Sequence, residues 1–389
     1  MIEHLPADYR QALLLGRLQT AQGPTPVLVR GGRVLDVSRT APTSSELLAL
    51  PDLESIDGRD LGAIEDLDLR PAWAGGARPP KLLSPIDLQC VKASGVTFAV
   101  SALERVIEER ARGDAGAAHA IRDALRQTVG GELGSVRPGS AQADQLKQAL
   151  IAQGLWSQYL EVAIGKDAEI FTKGPPMSTV GWGDWVGVRA DSAWNNPEPE
   201  VVLVCNGAGA VRGAALGNDV NLRDLEGRSA LLLGKAKDNN ASCAIGPFIR
   251  LFDKGFTLDD VRGAEVRLEI DGDDGFHLSG QSSMSQISRD PLELVGQTIG
   301  DNHQYPDGFA LFLGTMFAPI QDRDAPGQGF THKPGDVVRI SADRLGVLEN
   351  KVTTCAAAPP WSFGLGELMR NLASRGLLAS NSGATRMSA

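Results

Sequence analysis

From about residue 170 onward, short β-branched runs alternate with Gly, Pro, Asn and Asp, and this pattern restricts the fold more than any other feature of the chain. Runs such as VVLV, AEVRLEI and DVVRI are too short for ordinary helices, and turn-forming residues bound them. Such runs favour antiparallel strands joined by loops. The pattern therefore predicts a mostly antiparallel β structure with long functional loops.

The first half of the chain has a different pattern of apolar and turn-forming residues. Residues 11–37 contain apolar runs broken by Gln-Gly-Pro and Gly-Gly, which predicts small strands and hairpins. Residues 92–128 and 141–165 carry helical spacing of their apolar positions. We therefore expect an α+β protein. Its predicted parts are a small β-rich N-terminal domain (1–75), a catalytic domain (76–375) and a flexible tail (376–389).

Charge and cysteine usage limit the classes of partner. The net charge of −10 argues against nucleic acid and anionic membranes, since both select for clustered Lys and Arg. No apolar stretch approaches the ~18 residues of a membrane-spanning helix, and the first residues lack a signal-peptide pattern. Four widely spaced cysteines are typical of a reduced, cytoplasmic protein. The five histidines show no metal-ligand spacing.

Two glutamates open the apolar run at residues 201–205. On a strand, Glu198 and Glu200 point to the same side. The Gly-rich stretch NGAGAV then predicts a turn, after which an antiparallel return would bring Asp219 beside them. Three converging carboxylates are typical of a hard-cation site, with Mg²⁺ as first choice and Mn²⁺ or Ca²⁺ as alternatives. The other interpretation is that the glutamates are exposed edge charges and Asp219 a turn residue.

These residues, with others in the same order, resemble the fumarylacetoacetate hydrolase family over roughly residues 90–355. The resemblance implies a mixed β-roll or β-sandwich catalytic domain, a carboxylate-bound Mg²⁺, and substrates that chelate the metal through a 2-oxo acid unit. The matching elements are F-T-K-G-P at 171–175, E-x-E at Glu198 and Glu200, G-N-D-V-x-x-R-D at 217–224, the lysine and G-P step at 237–247, G-T at Gly314 and Thr315, K-P-G-D at 333–336 and G-x-L-x-N-x-V at 346–352.

One departure from the family pattern changes the expected reaction. Ser101 stands where hydrolytic members carry the histidine that activates water, and only Glu104 of that segment matches. A serine has no basic nitrogen, so this route to hydrolysis is lost. The chain instead resembles the family's sugar-acid dehydratase branch. That branch implies dehydration of 2-dehydro-3-deoxy-D-pentonate to 2,5-dioxopentanoate, a step of non-phosphorylative pentose catabolism.

The resemblance also implies roles for individual residues. Lys237 is the expected base at C3, with a Schiff base as a less favoured role and a structural salt bridge as the alternative. Glu104 is the expected acid at the C4 hydroxyl, the alternative being an exposed helix glutamate. The predicted substrate-binding residues are Ser101, Lys173, Ser283, Gly314 and Thr315.

Other functions stay open at this point. A hydrolase that cleaves acylpyruvates and related 2,4-diketo acids would use the same metal, and a decarboxylase is a weaker variant. A catalytically silent protein that binds a metal or a sugar acid is the alternative from another class. The expected partner is a small-molecule 2-keto-3-deoxy sugar acid, and the resemblance favours a homodimer or a homotetramer.

Overall fold

The computed structural model describes residues 1–75, 79–128, 136–317 and 319–378. Most of the predicted tail, from residue 379, lies outside the described residues. The strands in the described chain are β1 (Leu14–Thr20), β2 (Gly23–Arg30), β3 (Arg33–Asp36), β4 (Arg59–Ala63), β5 (Lys81–Leu83), β6 (Cys90–Gly95), β7 (Glu169–Gly174), β8 (Trp185–Val188), β9 (Asn195–Asn196), β10 (Pro199–Cys205), β11 (Val211–Asp219), β12 (Asn221–Leu222), β13 (Cys243–Leu251), β14 (Glu265–Asp271), β15 (His277–Ser283), β16 (Phe309–Phe312), β17 (Val337–Ala342) and β18 (Gly346–Thr354).

Helices occur in two groups and as isolated short segments. They are α1 (Ser44–Ala49), α2 (Ala99–Arg110), α3 (Ala115–Thr128), α4 (Ala141–Ala152), α5 (Gln158–Ile164), α6 (Arg223–Glu226), α7 (Leu233–Lys237), α8 (Leu258–Arg262), α9 (Pro291–Thr298) and α10 (Leu365–Ser374). Within the described residues, no helix combines the length and apolar character that crossing a membrane requires.

The strands form three sheets. An eleven-stranded sheet has the order β4-β3-β2-β1-β13-β11-β10-β16-β6-β7, with β5 also paired to β1. A five-stranded sheet has the order β15-β14-β17-β18-β8, and β9 pairs with β12. Pairing is antiparallel except between β16 and β6 and between β18 and β8. The predicted antiparallel architecture after residue 170 is therefore confirmed.

The N-terminal strands extend the large sheet. Strand β1 pairs with β13, so that Leu14 lies opposite Arg250 and Leu15 opposite Ile249. The sheet consequently runs across the predicted domain boundary at residue 75, and that boundary stays a prediction. The pairing joins segments more than two hundred residues apart, which no local pattern could have revealed.

Both faces of the large sheet are buried, which explains the apolar runs in its central strands. One face packs against the five-stranded sheet, with Leu203 and Leu216 in the same core as Leu268 and Ile340. The opposite face carries a second core that includes Val202. Because side chains alternate along a strand, Glu198 and Glu200 lie on the same side as Val202.

Helices α2–α5 form a layer of their own, which we call the helical insertion. It enters the chain between β6 and β7, although these two strands are direct neighbours in the sheet. It has a separate hydrophobic core, with Val106, Ile107, Leu160 and Ile164 among its buried residues. The insertion therefore lies next to the strand ends at which the predicted carboxylates are found.

Candidate active site

The predicted carboxylate hairpin is present. Strands β10 and β11 pair so that Glu200 lies opposite Gly217, and the Asp219 N–H donates to the Glu198 carbonyl at 3.2 Å. Asn206 closes the turn, because its Oδ1 accepts the N–H groups of residues 208 and 210. The turn and the register together bring all three acids to one end of the hairpin.

The three carboxylates meet at one point. Glu198, Glu200 and Asp219 each contribute an oxygen, and these oxygens all lie within 4.8 Å of one another. All three residues are at most 3% exposed. Burial of the group, together with the negative charge of its two neighbours, raises the pKa of Glu200 well above its ordinary value. A hard divalent cation fits this set, since it accepts oxygen ligands and offsets the mutual repulsion.

Two buried lysines supply positive charge. Lys173 Nζ lies 2.9 Å from Asp219 Oδ1 and donates to the Lys237 carbonyl at 2.6 Å. Lys237 Nζ lies 2.7 Å from Glu198 Oε2 and 3.2 Å from Asp219 Oδ2. Burial alone would raise the pKa of Asp219, but the two ammonium groups outweigh it and the pKa is lowered.

Lys237 itself has a pKa opposite to the one that its predicted role requires. Burial acts to lower this pKa, but Asp219, Glu198 and Glu226 outweigh that effect and raise it well above the ordinary value. The lysine is therefore held as an ammonium ion by the acids around it. A role as base depends on the negative charge of those acids being neutralised.

A cavity opens over the carboxylates, between the large sheet and the helical insertion. Acidic side chains outnumber basic ones among the described residues that line it. These residues are Ser94, Gly95, Val96, Ser101, Arg105, Tyr159, Glu169, Phe171, Glu198, Glu200, Asp219, Glu226, Ala230, Leu233, Lys237 and Thr315.

Several predicted substrate-binding residues lie at this cavity. Thr315 lines it, and its Oγ1 is 3.5 Å from Glu200 Oε1. Gly314 donates its N–H to Glu200 Oε2 at 2.7 Å with φ of 104°, a conformation that favours glycine. Ser101 also lines the cavity, and its hydroxyl donates to the Phe98 carbonyl inside α2. Lys173 lies beneath the cavity, against Asp219, and does not line it.

Glu104 and Ser283 do not line the cavity. On α2, Ser101 and Arg105 are four residues apart and share the cavity face, whereas the Glu104 carboxylate turns to Arg122 with contacts of 2.9 and 2.7 Å. Ser283 ends β15 in the five-stranded sheet, and its hydroxyl lies 2.8 Å from that of Ser285. The structure thus brings neither residue to the predicted position.

Two charged groups of the cavity were missed by the sequence analysis. Glu169 begins β7, two residues before Phe171, and both residues line the cavity, whereas a register shift at Lys173 breaks the alternation there. Burial raises the pKa of Glu169. Arg105 reaches the three carboxylates from α2, with Nη2 2.9 Å from Glu198 Oε1. Its helical spacing from Ser101 was the available signal.

The sequence of residues 166–353 matches the family described as fumarylacetoacetate hydrolase, C-terminal. The matched segment contains Glu198, Glu200 and Asp219. A solved structure of 2-keto-3-deoxy-D-arabinonate dehydratase, complexed with magnesium and 2,5-dioxopentanoate, has the same fold. Its TM-score is 0.60 at 21% identity, covering 88% of this chain and 99% of that one. The predicted α+β fold of fumarylacetoacetate hydrolase type is thereby confirmed.

Two curated relatives of the chain are named as dehydratases. One is a probable 2-keto-3-deoxyxylonate dehydratase of Haloferax volcanii, 33% identical over 196 residues, which are 50% of this chain and 64% of the relative. The other is 2-dehydro-3-deoxy-D-arabinonate dehydratase of Saccharolobus solfataricus, 32% identical over 183 residues, 46% of this chain and 57% of the relative. The chain therefore matches less than two thirds of the length of either relative.

Proposed function

We propose that this protein dehydrates a 2-dehydro-3-deoxy-pentonate to 2,5-dioxopentanoate, with Glu198, Glu200 and Asp219 holding Mg²⁺, or Mn²⁺ as the alternative. The observation that carries the proposal is the meeting of this acidic triad with Lys237 and Glu169 in one buried cavity. The names of the two curated relatives support the substrate class. The magnesium in the related dehydratase structure supports the choice of cation.

A bound divalent cation would supply Lewis-acid chemistry that polarises a 2-oxo acid and acidifies its C3 hydrogens. Once the negative charge of the triad is neutralised, these acids would no longer hold Lys237 as an ammonium ion. Lys237 Nζ then accepts the C3 proton. Lys173, which is fully buried against Asp219, keeps that ligand ionised and in place.

The leaving hydroxyl at C4 needs a proton donor. Glu169 lines the cavity, and burial raises the pKa of its carboxyl group, which favours the protonated form of that group. Its proton goes to the C4 hydroxyl, which departs as water while the C3–C4 double bond forms. Proton shifts from C5 then give the aldehyde of 2,5-dioxopentanoate, with all five carbons retained. Glu169 takes the role that the sequence analysis gave to Glu104.

The substrate-binding roles of Ser101, Gly314 and Thr315 stay proposals. The Thr315 hydroxyl and the backbone at Gly314 border Glu200, which suits them to contact the 2-oxo acid end. Ser101 lies on the helical insertion, across the cavity from the triad, which suits it to contact the hydroxyl-bearing end. We also propose that the protein acts in the cytoplasm, consistent with its four free thiols, and as a homodimer or homotetramer.

The test is an assay of the purified protein with 2-keto-3-deoxy pentonates, after EDTA treatment and after re-addition of Mg²⁺. A coupled dehydrogenase should detect the semialdehyde only when Mg²⁺ is present, and Glu200→Gln should be inactive. Pyruvate plus a second fragment would instead indicate a hydrolase, and evolved CO₂ a decarboxylase. Cation binding with no turnover of any of these acids would leave only a binding protein.

A further inference from the structure

Both carboxylate oxygens of Glu198 are engaged by cationic side chains. Arg105 Nη2 lies 2.9 Å from Oε1, and Lys237 Nζ lies 2.7 Å from Oε2. Glu198 is buried, so water does not screen these contacts. A divalent cation at the triad needs one of the same oxygens. A cationic side chain and the metal ion would therefore bind the same carboxylate oxygen of Glu198.

Arg105 is the cation that can give up this acceptor. Its Nη1 lies 2.8 Å from Glu108 Oε2 and also contacts Glu226, and neither acid belongs to the triad. The guanidinium thus keeps two buried partners when its bond to Glu198 is broken. Lys237 differs, because two of its three acidic partners, Glu198 and Asp219, are triad members.

Arg105 also comes from a different part of the fold than the triad. It lies on α2, in the helical insertion, whose core is separate from the cores of the large sheet. Glu198 immediately precedes β10 of that sheet. The Arg105–Glu198 ion pair is therefore a polar bridge between two separately packed units.

We propose that Arg105 is a positioning residue that competes with the divalent cation for Glu198 and so sets the metal affinity of the triad. Before the metal binds, its guanidinium offsets the repulsion among the three acids and holds Glu198 in the cluster. When the metal binds, the guanidinium retains Glu108 and Glu226. This inference rests on the metal site of the proposed function.

The experiment measures cation binding directly, by isothermal titration calorimetry with Mg²⁺ and with Mn²⁺ in the absence of substrate. Arg105→Met and Arg105→Gln remove the charge, Arg105→Lys keeps it, and Arg110→Met removes an exposed charge from the same helix. Both neutral variants should bind the cation about tenfold more tightly, as expected for loss of a close buried competitor. Arg105→Lys should stay nearer to the wild type, and Arg110→Met should equal it.

Unchanged or weaker cation binding in both neutral variants would overturn the proposal. Thermal unfolding gives an independent readout: without metal, Arg105→Gln should unfold at a lower temperature than the wild type, and saturating Mg²⁺ should reduce this difference. An equal difference with and without Mg²⁺ would mean a purely structural role. If the wild type binds no divalent cation, or Glu200→Gln binds it as well as the wild type, the proposed function itself fails. If the wild type binds the cation and Glu200→Gln does not, but the neutral Arg105 variants fail to bind it more tightly, this inference alone is wrong.

Discussion

The Glu169 carboxylate lies against Gly95, its partner across strands β6 and β7, in the space that a β-carbon at position 95 would occupy. A β-carbon at position 95 would therefore displace the Glu169 carboxylate from this position. The pair also marks the two ends of the helical insertion, because β6 ends at Gly95 and β7 begins at Glu169.

Gly95→Ala should lower kcat about 100-fold, because the added methyl group displaces the Glu169 carboxylate and small misplacements of a reacting group are costly. Steady-state kinetics with a 2-keto-3-deoxy pentonate measures this effect. Gly296→Ala on α9 is the matched control, since a β-carbon there meets nothing within 4 Å. If Gly95→Ala keeps the wild-type kcat, the position of the Glu169 carboxylate does not affect the rate of the reaction.

Glu169→Gln and Glu104→Gln should separate the two candidate acids. Loss of a general acid costs typically 10²–10⁴-fold in rate, so Glu169→Gln should lower kcat by about that range with little change in stability. Glu104→Gln weakens a buried pair with Arg122 and should instead cost about 3 kcal/mol in free energy of unfolding. Urea unfolding and kinetics on both variants give the two readouts. The reverse outcome would restore the role that the sequence analysis gave to Glu104.

Lys237→Met should abolish turnover and make folding more dependent on metal. Its ammonium group offsets Glu198, Asp219 and Glu226, and removal of one partner from such a buried cluster costs about 3–5 kcal/mol. Added Mg²⁺ replaces the lost positive charge, so the rise in melting temperature on adding Mg²⁺ should exceed that of the wild type. Turnover of the substrate by this variant at the wild-type rate would exclude Lys237 as the base.

Asp336 should make a pH-dependent contribution to stability. Burial opposes its ionisation, but His332, Arg323 and the Lys333 N–H outweigh that effect and lower the pKa of Asp336 to about 2. A depressed pKa in the folded state stabilises the protein above pH 4, and this stabilisation is lost as the pH falls from about 4 toward 2. The contribution is about 2 kcal/mol.

Asp336→Asn tests this directly by urea unfolding over a series of pH values. The variant should be less stable than the wild type at pH 7, and the difference should shrink as the pH falls below 4. The variant leaves the Arg323 guanidinium, which bonds both Asp336 oxygens at 2.7 Å, without its buried partner. A constant difference from pH 7 to pH 3 would contradict the assigned pKa.

Local patterns were sufficient to predict that the hairpin brings three carboxylates together. The two-residue spacing of Glu198 and Glu200 fixes their common side, and the glycine-rich turn fixes the return of the chain to Asp219. Spacing of this kind did not single out Arg105 or Glu169, because only the tertiary packing shows that the helix and the strand that carry them meet at the cavity. The role of Glu104 stays a prediction: its carboxylate faces Arg122 and not the cavity, since on a helix one residue of offset from Arg105 rotates a side chain by about 100°.

The attachment of the helical insertion has a consequence for how this cavity can vary. The two ends of the insertion leave and re-enter the sheet side by side, at Gly95 and Glu169, so the strand pairing closes beneath it. Substitutions in the insertion can exchange groups that line the cavity, such as Ser101, while strands β10 and β11 keep the acidic hairpin. One contiguous stretch of the chain can in this way alter a wall of the cavity without altering the three carboxylates.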